Sequence, residues 1–384
     1  MSELRFLTAG ESHGPCLTAI LEGLPAGLAL DIKAINRDLA RRQQGYGRGG
    51  RMKIEKDKAE ILSGVRFGET LGGPITLRVV NRDFANWTDR MAAFGAPTGE
   101  PVTAARPGHA DLTGCKKYAR SDIRDILERS SARETTMRVA VGALCKEFLR
   151  SLGIDVVSHV TKIGGVAVNP DHIDVMSIGR TESELNCCDA EAEERMKARI
   201  REAMAAGDTL GGTFEVIVRG VPVGLGSHIQ WDRRLDARLA GAMMSIQAIK
   251  GVEIGAGFRY ADQPGSAMHD EMYIEGTHVY RRTNNAGGLE GGMTNGEPVV
   301  VRAVMKPIPT LMQPLHSVDI ASKKPVLACK ERSDACAVSA ASVVGEAMTA
   351  FVIAQAIVEK FGGDAMVDVR TALSAYNERV EKDW

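Results

Sequence analysis

The chain has 384 residues, 44% hydrophobic and 25% charged, a balance that excludes a disordered chain or a collagen-like fibre. With 48 basic and 49 acidic residues the net charge is −1, so no global field exists to hold nucleic acid or an anionic membrane. Any anion site must be a local cluster, and aromatic residues, at 5%, are too sparse for a stacking platform along single strands.

In chain order, Asp31 is placed to cap a helix over Ile32–Gln44, with Ile32, Ile35 and Leu39 on one face and Gly45 as its stop. A β-branched strand follows at Ile75–Val80. The segment ERSSA at Glu128–Ala132 opens a long apolar helix. Phe214–Arg219 reads as a strand, Asp232 as the cap of a helix running to Lys250 and stopped by Gly251, and Val299–Met305 as another strand. ERSDA at Glu331–Ala335 opens a second long apolar helix. Ala335 to Val358 is long enough to span a bilayer, but it contains Glu346 and Gln355 and is rich in Ala and Ser, so a buried helix is expected.

Much of this pattern occurs twice. Gly23–Arg41 aligns without gaps on Gly220–Arg238, matching Gly23, Pro25, Gly27 and Leu28 to Gly220, Pro222, Gly224 and Leu225. GVRFGETLGGPITLRVV from Gly64 pairs with GLEGGMTNGEPVVVRAV from Gly288, and ERSSA pairs with ERSDA, in the same order. Each half leaves a long helix apolar around most of its girth, so the halves must share one core. The expectation is a single α+β domain over residues 1–384: a β-α-β sandwich, central long helices covered by antiparallel sheets, with pseudo-repeats of about 1–152 and 154–384 and a cleft where they meet.

Seven cysteines, odd in number and without a C-x-x-C pair, predict neither a disulfide framework nor a zinc site, and no metal is expected. The opening MSELRFLTAGESHG lacks the pattern of a signal peptide, which points to a reduced, cytoplasmic protein with no membrane partner. Three basic clusters carry the chemistry. RRQQGYGRGGRMK sets Arg41, Arg42, Arg48, Arg51 and Lys53 among glycines after a helix. Such a loop can wrap an anion with guanidinium forks, and Gln43–Met52 is expected to be mobile until ligands order it. ERSSARE spaces Arg129 and Arg133 four apart, as a pair on one helical face. CKERSD adds Lys330, Arg332 and Asp334. His13 in GESHG and His109 in RPGHAD, beside Arg106 and Asp111, are placed to serve a departing oxyanion. These residues predict an enzyme for a small phosphorylated anion; an RNA-binding role for the GYGRGGRMK loop leaves both histidines unexplained.

Together GESHGPCLTAILEGLP, RQQGYGRGGRM, RPGHAD, LERSSARETTMRVA, RTNNAGGLEGGMTNGEP, KPIPT and RSDACAV resemble the chorismate synthase family in order and spacing, over nearly the whole chain. The resemblance implies a lyase that eliminates phosphate from 5-enolpyruvylshikimate 3-phosphate in a 1,4-anti sense to give chorismate for aromatic amino acids. It also implies reduced FMN without net redox change, and a homotetramer. NADPH serving the chain itself, or a separate flavin reductase, are the candidate sources of electrons. A flavin oxidoreductase with net hydride transfer is the alternative.

Position by position, the resemblance makes His13 the acid for the departing phosphate, His109 a stabiliser of charge on the reduced flavin, and Asp334 the aspartate that assists flavin N5 in removing the C6 proton. Arg129, Ser130, Ser131, Gln247, Ala248, Gly291, Lys306, Pro307, Ile308, Pro309, Thr310 and Arg332 match the flavin-contacting set. Arg42 and Arg48 match positions linked to NADPH or substrate phosphate, and Arg106 and Arg133 would hold substrate carboxylates and phosphate. The glycines around 287–296 would let backbone lie against a flat isoalloxazine. Ala335 departs from the Pro or Val of many relatives.

Overall fold

The computed structural model describes residues 4–48, 56–173, 177–179, 182–276, 278–329 and 334–383. Two antiparallel sheets enclose a layer of helices. The first sheet contains β1 (Arg5–Ala9), β2 (Cys16–Glu22), β3 (Glu60–Ile61) and β4 (Ile75–Val80), in the order β1-β2-β4-β3. Its inner face follows the two-residue period of a half-buried strand: Leu17, Ala19 and Leu21 of β2 and Ile75, Leu77 and Val79 of β4 are buried, while Ile20 and Val80 face out. The second sheet contains β5 (Asp155–Ile163), β6 (Val166–Ala167), β7 (Gly212–Arg219), β8 (Ile249–Ile254) and β9 (Val299–Met305), in the order β8-β9-β7-β5-β6.

The helices longer than one turn are α1 (Ile32–Gln43), α2 (Asp111–Tyr118), α3 (Arg124–Ser130), α4 (Thr135–Arg150), α5 (Ala190–Ala205), α6 (Leu235–Met244), α7 (Val338–Phe361) and α8 (Met366–Asp383). Asp31 caps α1, accepting from the Lys33 amide at 2.8 Å. The apolar helix α7 is buried inside the protein, 94% within its most hydrophobic window. It crosses α4 where both present small residues. A Cβ on Gly142 would collide with Ala347, and one on Gly345 would come 2.6 Å from the Phe214 ring of the second sheet. Glycine at these points lets helix lie on helix and helix on sheet.

Two expectations change. The helix read from Asp232 to Lys250 is a 3-10 turn at Trp231–Arg233 followed by α6, which ends at Met244; Lys250 lies in β8. The apolar pattern continues because α6, the turn after it and β8 bury residues against one core: Leu239 and Met243, then Ile246, then Ile249. Arg129 and Arg133 do not share a helical face. Ser131 takes an extended conformation (ψ 141°) between α3 and the 3-10 turn Ala132–Glu134, so the two arginines point into different surroundings. Gly287 and Gly288 pack against the protein's own backbone: a Cβ at Gly287 would collide with Gly255, and one at Gly288 would come 2.5 Å from the Pro298 carbonyl, whereas Gly291 is exposed.

Two local clasps repeat atom for atom. Thr70 Oγ1 donates to Pro25 O at 2.6 Å and accepts from Leu28 N at 2.9 Å. Thr294 Oγ1 donates to Pro222 O at 2.6 Å and accepts from Leu225 N at 2.8 Å. Each threonine sits in a short hairpin directly before the last long strand of its sheet in chain order, β4 or β9.

Candidate active site

A cavity of about 610 Å³ opens where segments from both sheets and the start of α7 converge. The turn between β1 and β2 brings Ser12 and His13. It needs glycine at Gly10 (φ +107°), because a Cβ there would come 2.5 Å from Cys16 O. The segment before α2 brings Arg106 and His109, the break at Ser131 exposes Ser130 and Ser131, and the end of β9 leads into Lys306, Ile308, Pro309 and Thr310. Between α6 and β8 lie Gln247 and Ala248. Ala248 adopts φ +69°, a left-handed conformation uncommon for a residue with a Cβ, and its carbonyl accepts from Lys306 N at 2.9 Å. Arg42 and Arg48 arrive from the end of α1 and Asp334 from the approach to α7. These last two segments are tied by Ala335 N donating to Gly47 O at 2.9 Å.

Buried carboxylates brace the groups that face the cavity. Glu128 accepts from His13 N at 2.8 Å and meets His13 Nδ1 at 2.9 Å. Burial alone would raise the Glu128 carboxyl, but His13 and Arg124 outweigh it and hold it below its ordinary range. Asp111 is fully buried and grips Arg106 in a fork, with Nε at 2.8 Å and Nη2 at 3.1 Å, while its Oδ1 lies 2.5 Å from His109 Nδ1. Here too burial opposes ionisation, and His109 and Arg106 hold the carboxyl well below the usual range. Glu134 accepts from Gln247 Nε2 at 3.1 Å. Asp57 accepts from Arg133 Nη1 at 2.5 Å and lies 3.8 Å from Arg42 Nη1.

Arg42 is left short of negative charge. Its Nε and Nη2 donate to Thr135 Oγ1 and Ala132 O at 2.9 Å each, but the buried Nη1 has no hydrogen-bond partner. Burial pushes this guanidinium down to about 9; Asp57 offsets only part of that, and the neighbouring cations Arg133 and Arg48 add to it. Gln247 Oε1 is a second buried atom without a partner on this wall. Lys306 is lowered by burial and by Lys250, and its ammonium donates to Gly108 O. Asp334 is the one carboxylate among the described residues lining the cavity, with its Oδ2 3.2 Å from Arg48 Nη1.

Of the residues singled out in the sequence, His13, His109, Asp334, Arg42, Arg48, Arg106, Ser130, Ser131, Gln247, Ala248, Lys306, Ile308, Pro309 and Thr310 line this one cavity. Arg129 lies outside it, donating to Thr8 O at 2.9 Å and Gly10 O at 3.2 Å beside a neighbouring cleft. Arg133 stands behind the wall, committed to Asp57 and to Asn81 Oδ1 at 2.8 Å. Pro307 is exposed beside the lining, and Gly291 is at the turn of the hairpin Leu289–Glu290/Met293–Thr294. Arg332, with Lys330, Arg51 and Lys53, lies outside the described residues, as do residues 49–52 of the basic loop. No cluster of potential metal ligands occurs among the described residues. The bracing acids Glu128, Asp111, Asp57 and Glu134 were not expected as parts of the site. Asp111 had a signal, standing two residues from His109 in RPGHAD; Asp57 had none.

A cavity walled by Arg42, Arg48 and Arg106, with one buried guanidinium nitrogen that makes no hydrogen bond, two histidines and a single carboxylate among the described residues, has the composition of an enzyme site for a small polyanion. The family model for chorismate synthase matches residues 4–358. Chorismate synthase of Geobacter sulfurreducens is 59% identical, the match covering 98% of this chain and 99% of the relative; that of Aquifex aeolicus is 56% identical over 98% of each. A crystal structure of chorismate synthase superposes with a TM-score of 0.79 at 47% identity, covering 99% of both chains. The chain belongs to the chorismate synthase family. It is a carbon–oxygen lyase that eliminates phosphate from 5-enolpyruvylshikimate 3-phosphate to form chorismate, the final step of the shikimate pathway, and its family uses reduced FMN.

Proposed function

We propose that substrate and reduced FMN share the cavity described above, with this chain's residues dividing the work. The unpartnered Nη1 of Arg42 carries this reading: a buried cation short of negative charge gains most from an anion seated against it. With Arg48 and Arg106 it offers cationic surface for the substrate's phosphate and carboxylates. Phosphate leaves as a growing dianion, and His13 is the acid that protonates it. Asp334 serves the removal of the C6 proton, and His109, held by Asp111, faces charge on the flavin.

The chemistry of the wall fits a flavin. Gln247 Oε1 is an acceptor in need of a donor such as a ring N–H, and the Lys306–Thr310 segment and left-handed Ala248 bring backbone to the cavity surface. Bound there, reduced FMN would supply the electron-rich ring the elimination requires. Ser130, Ser131, Gln247, Ala248 and Lys306–Thr310 would hold it from this side, with Arg129, Gly291 and Arg332 completing the set. We further propose one domain of two pseudo-repeated halves, 1–152 and 154–384, supported by the matching Thr70 and Thr294 clasps, and a cytoplasmic homotetramer.

An anaerobic assay with substrate and FMN, comparing NADPH with dithionite as reductant, tests the function and the electron source together. Chorismate in large excess over reductant consumed is expected. One NADPH oxidised per product would instead indicate net hydride transfer. Activity with dithionite alone would assign flavin reduction to a separate reductase.

A further inference from the structure

We infer that Glu128 is the positioning residue of His13, and that Trp87 is the platform against which the imidazole is held. The inference rests on the reading of His13 as the acid for the departing phosphate. Four side chains form a closed ring of contacts. His13 Nδ1 lies 2.9 Å from Glu128 Oε1, and Arg124 Nη1 donates to that same oxygen at 2.9 Å. The Arg124 guanidinium sits 4.8 Å from the centre of the Trp87 ring, which lies 4.1 Å from the imidazole, tilted by 32°. Trp87 is in turn fixed by its Nε1 donating to Asp83 Oδ2 at 3.0 Å.

The chemistry follows from which partner is ionised. Glu128 is 4% exposed and ion-paired to Arg124, and its carboxyl is held below the ordinary range, so it is an acceptor. Nδ1 therefore carries a hydrogen, and any proton passed to a ligand moves through Nε2. The backbone N–H of His13 donates to the second carboxylate oxygen at 2.8 Å, so one carboxylate sets both the turn and the ring it carries. Ser12 N donating to Glu128 O at 3.0 Å adds a third tie between this turn and α3. A general acid gains rate only when its proton-bearing atom is held on the leaving group, and loss of an orienting carboxylate typically costs 10–100-fold.

The test is a double-mutant cycle in the FMN-loaded enzyme, with prereduced flavin and 5-enolpyruvylshikimate 3-phosphate, measuring kcat and KM. Glu128→Ala is expected to lower kcat by ~10- to 100-fold with KM changed less than ~3-fold. In a His13→Ala background the same substitution should cost no more than ~2-fold, because a residue that acts through His13 has nothing left to position. Glu128→Gln keeps the shape and an acceptor oxygen; it should lose less, and it takes the place of Glu128→Ala in the cycle if that variant does not fold. Trp87→Ala should lower kcat and Trp87→Phe restore it. Equal losses in both backgrounds, a loss confined to KM, or an unchanged kcat would overturn the inference while leaving His13 in its role. Unchanged turnover in His13→Ala would instead remove His13 as the acid, and this inference with it.

Discussion

The Asp334 carboxylate lies 3.2 Å from Arg48 Nη1, on a wall whose other charged groups are cations or histidines. A carboxylate here repels the substrate's own anions, a cost that proton transfer justifies. The position paired with it in the repeated motif is Ser131, a small polar residue, so the fold itself does not require the charge. Asp334→Asn is expected to keep FMN and substrate affinity within a few-fold and to lower turnover by ~10² or more, read from equilibrium titration and single-turnover kinetics. Near-normal turnover would remove Asp334 from the chemistry; lost flavin affinity alone would make it a structural partner of Arg48. At this scale Arg42, Arg48, His13 and His109 were legible, because arginine or histidine among glycines is an unusual local composition, while Gln247, Ala248 and Lys306–Thr310 came only with the family resemblance. The acids behind them were not legible. Asp57 reaches Arg133 from 76 positions away, and an ordinary aspartate in a polar stretch carries no local mark of such a partner.

Helix α7 holds one buried acid, Glu346, and it joins elements far apart in the chain. Glu346 is 1% exposed; its oxygens accept from Arg41 Nη2 at 2.6 Å, Ser158 Oγ at 2.7 Å and Lys146 Nζ at 2.8 Å, linking α7 to α1, β5 and α4. Burial alone would raise this carboxyl, but Lys146 and Arg41 outweigh it and hold it at about 2. A carboxylate depressed on folding contributes stability in full above its unfolded value, and that contribution is lost as pH falls through the folded value. For Glu346 the window runs from about 4.5 down to about 2. Glu346→Leu leaves the buried Lys146 and the half-buried Arg41 with Asp38 alone, at 2.9 and 3.2 Å, and is expected to destabilise by ~1–3 kcal/mol at neutral pH. Its stability should also fall less steeply than the wild type's between those pH values, measured by urea denaturation. A parallel pH dependence in both proteins would contradict the role assigned to Glu346. Element boundaries show where periodicity stops informing. The helix expected to reach Lys250 ends at Met244, because the apolar residues that continue beyond it serve a strand on the same core. ERSSARE was expected to form one helical face and is broken at Ser131, whose side chain accepts from Arg133 N at 3.3 Å and so starts a new turn.

Across the molecule, the cavity draws on the turn of the first sheet and on the end of β9 in the second, and on the starts of two helical segments. Neither sequence half contains a complete wall: His13, Arg42, Arg106 and His109 come from one, Gln247, Lys306, Thr310 and Asp334 from the other. That sharing is why a neutral chain can build a strongly cationic site, by gathering a few guanidiniums locally instead of through a global field. The positions of the bound ligands test the role of this cavity most directly. The structure of the complex with oxidised FMN and 5-enolpyruvylshikimate 3-phosphate should place both in the cavity between His13 and Asp334, with anionic oxygens of the substrate against Arg42 and the flavin ring near Gln247. Density for either ligand in the neighbouring cleft beside Arg129, with Arg42 Nη1 still unpartnered, would contradict it.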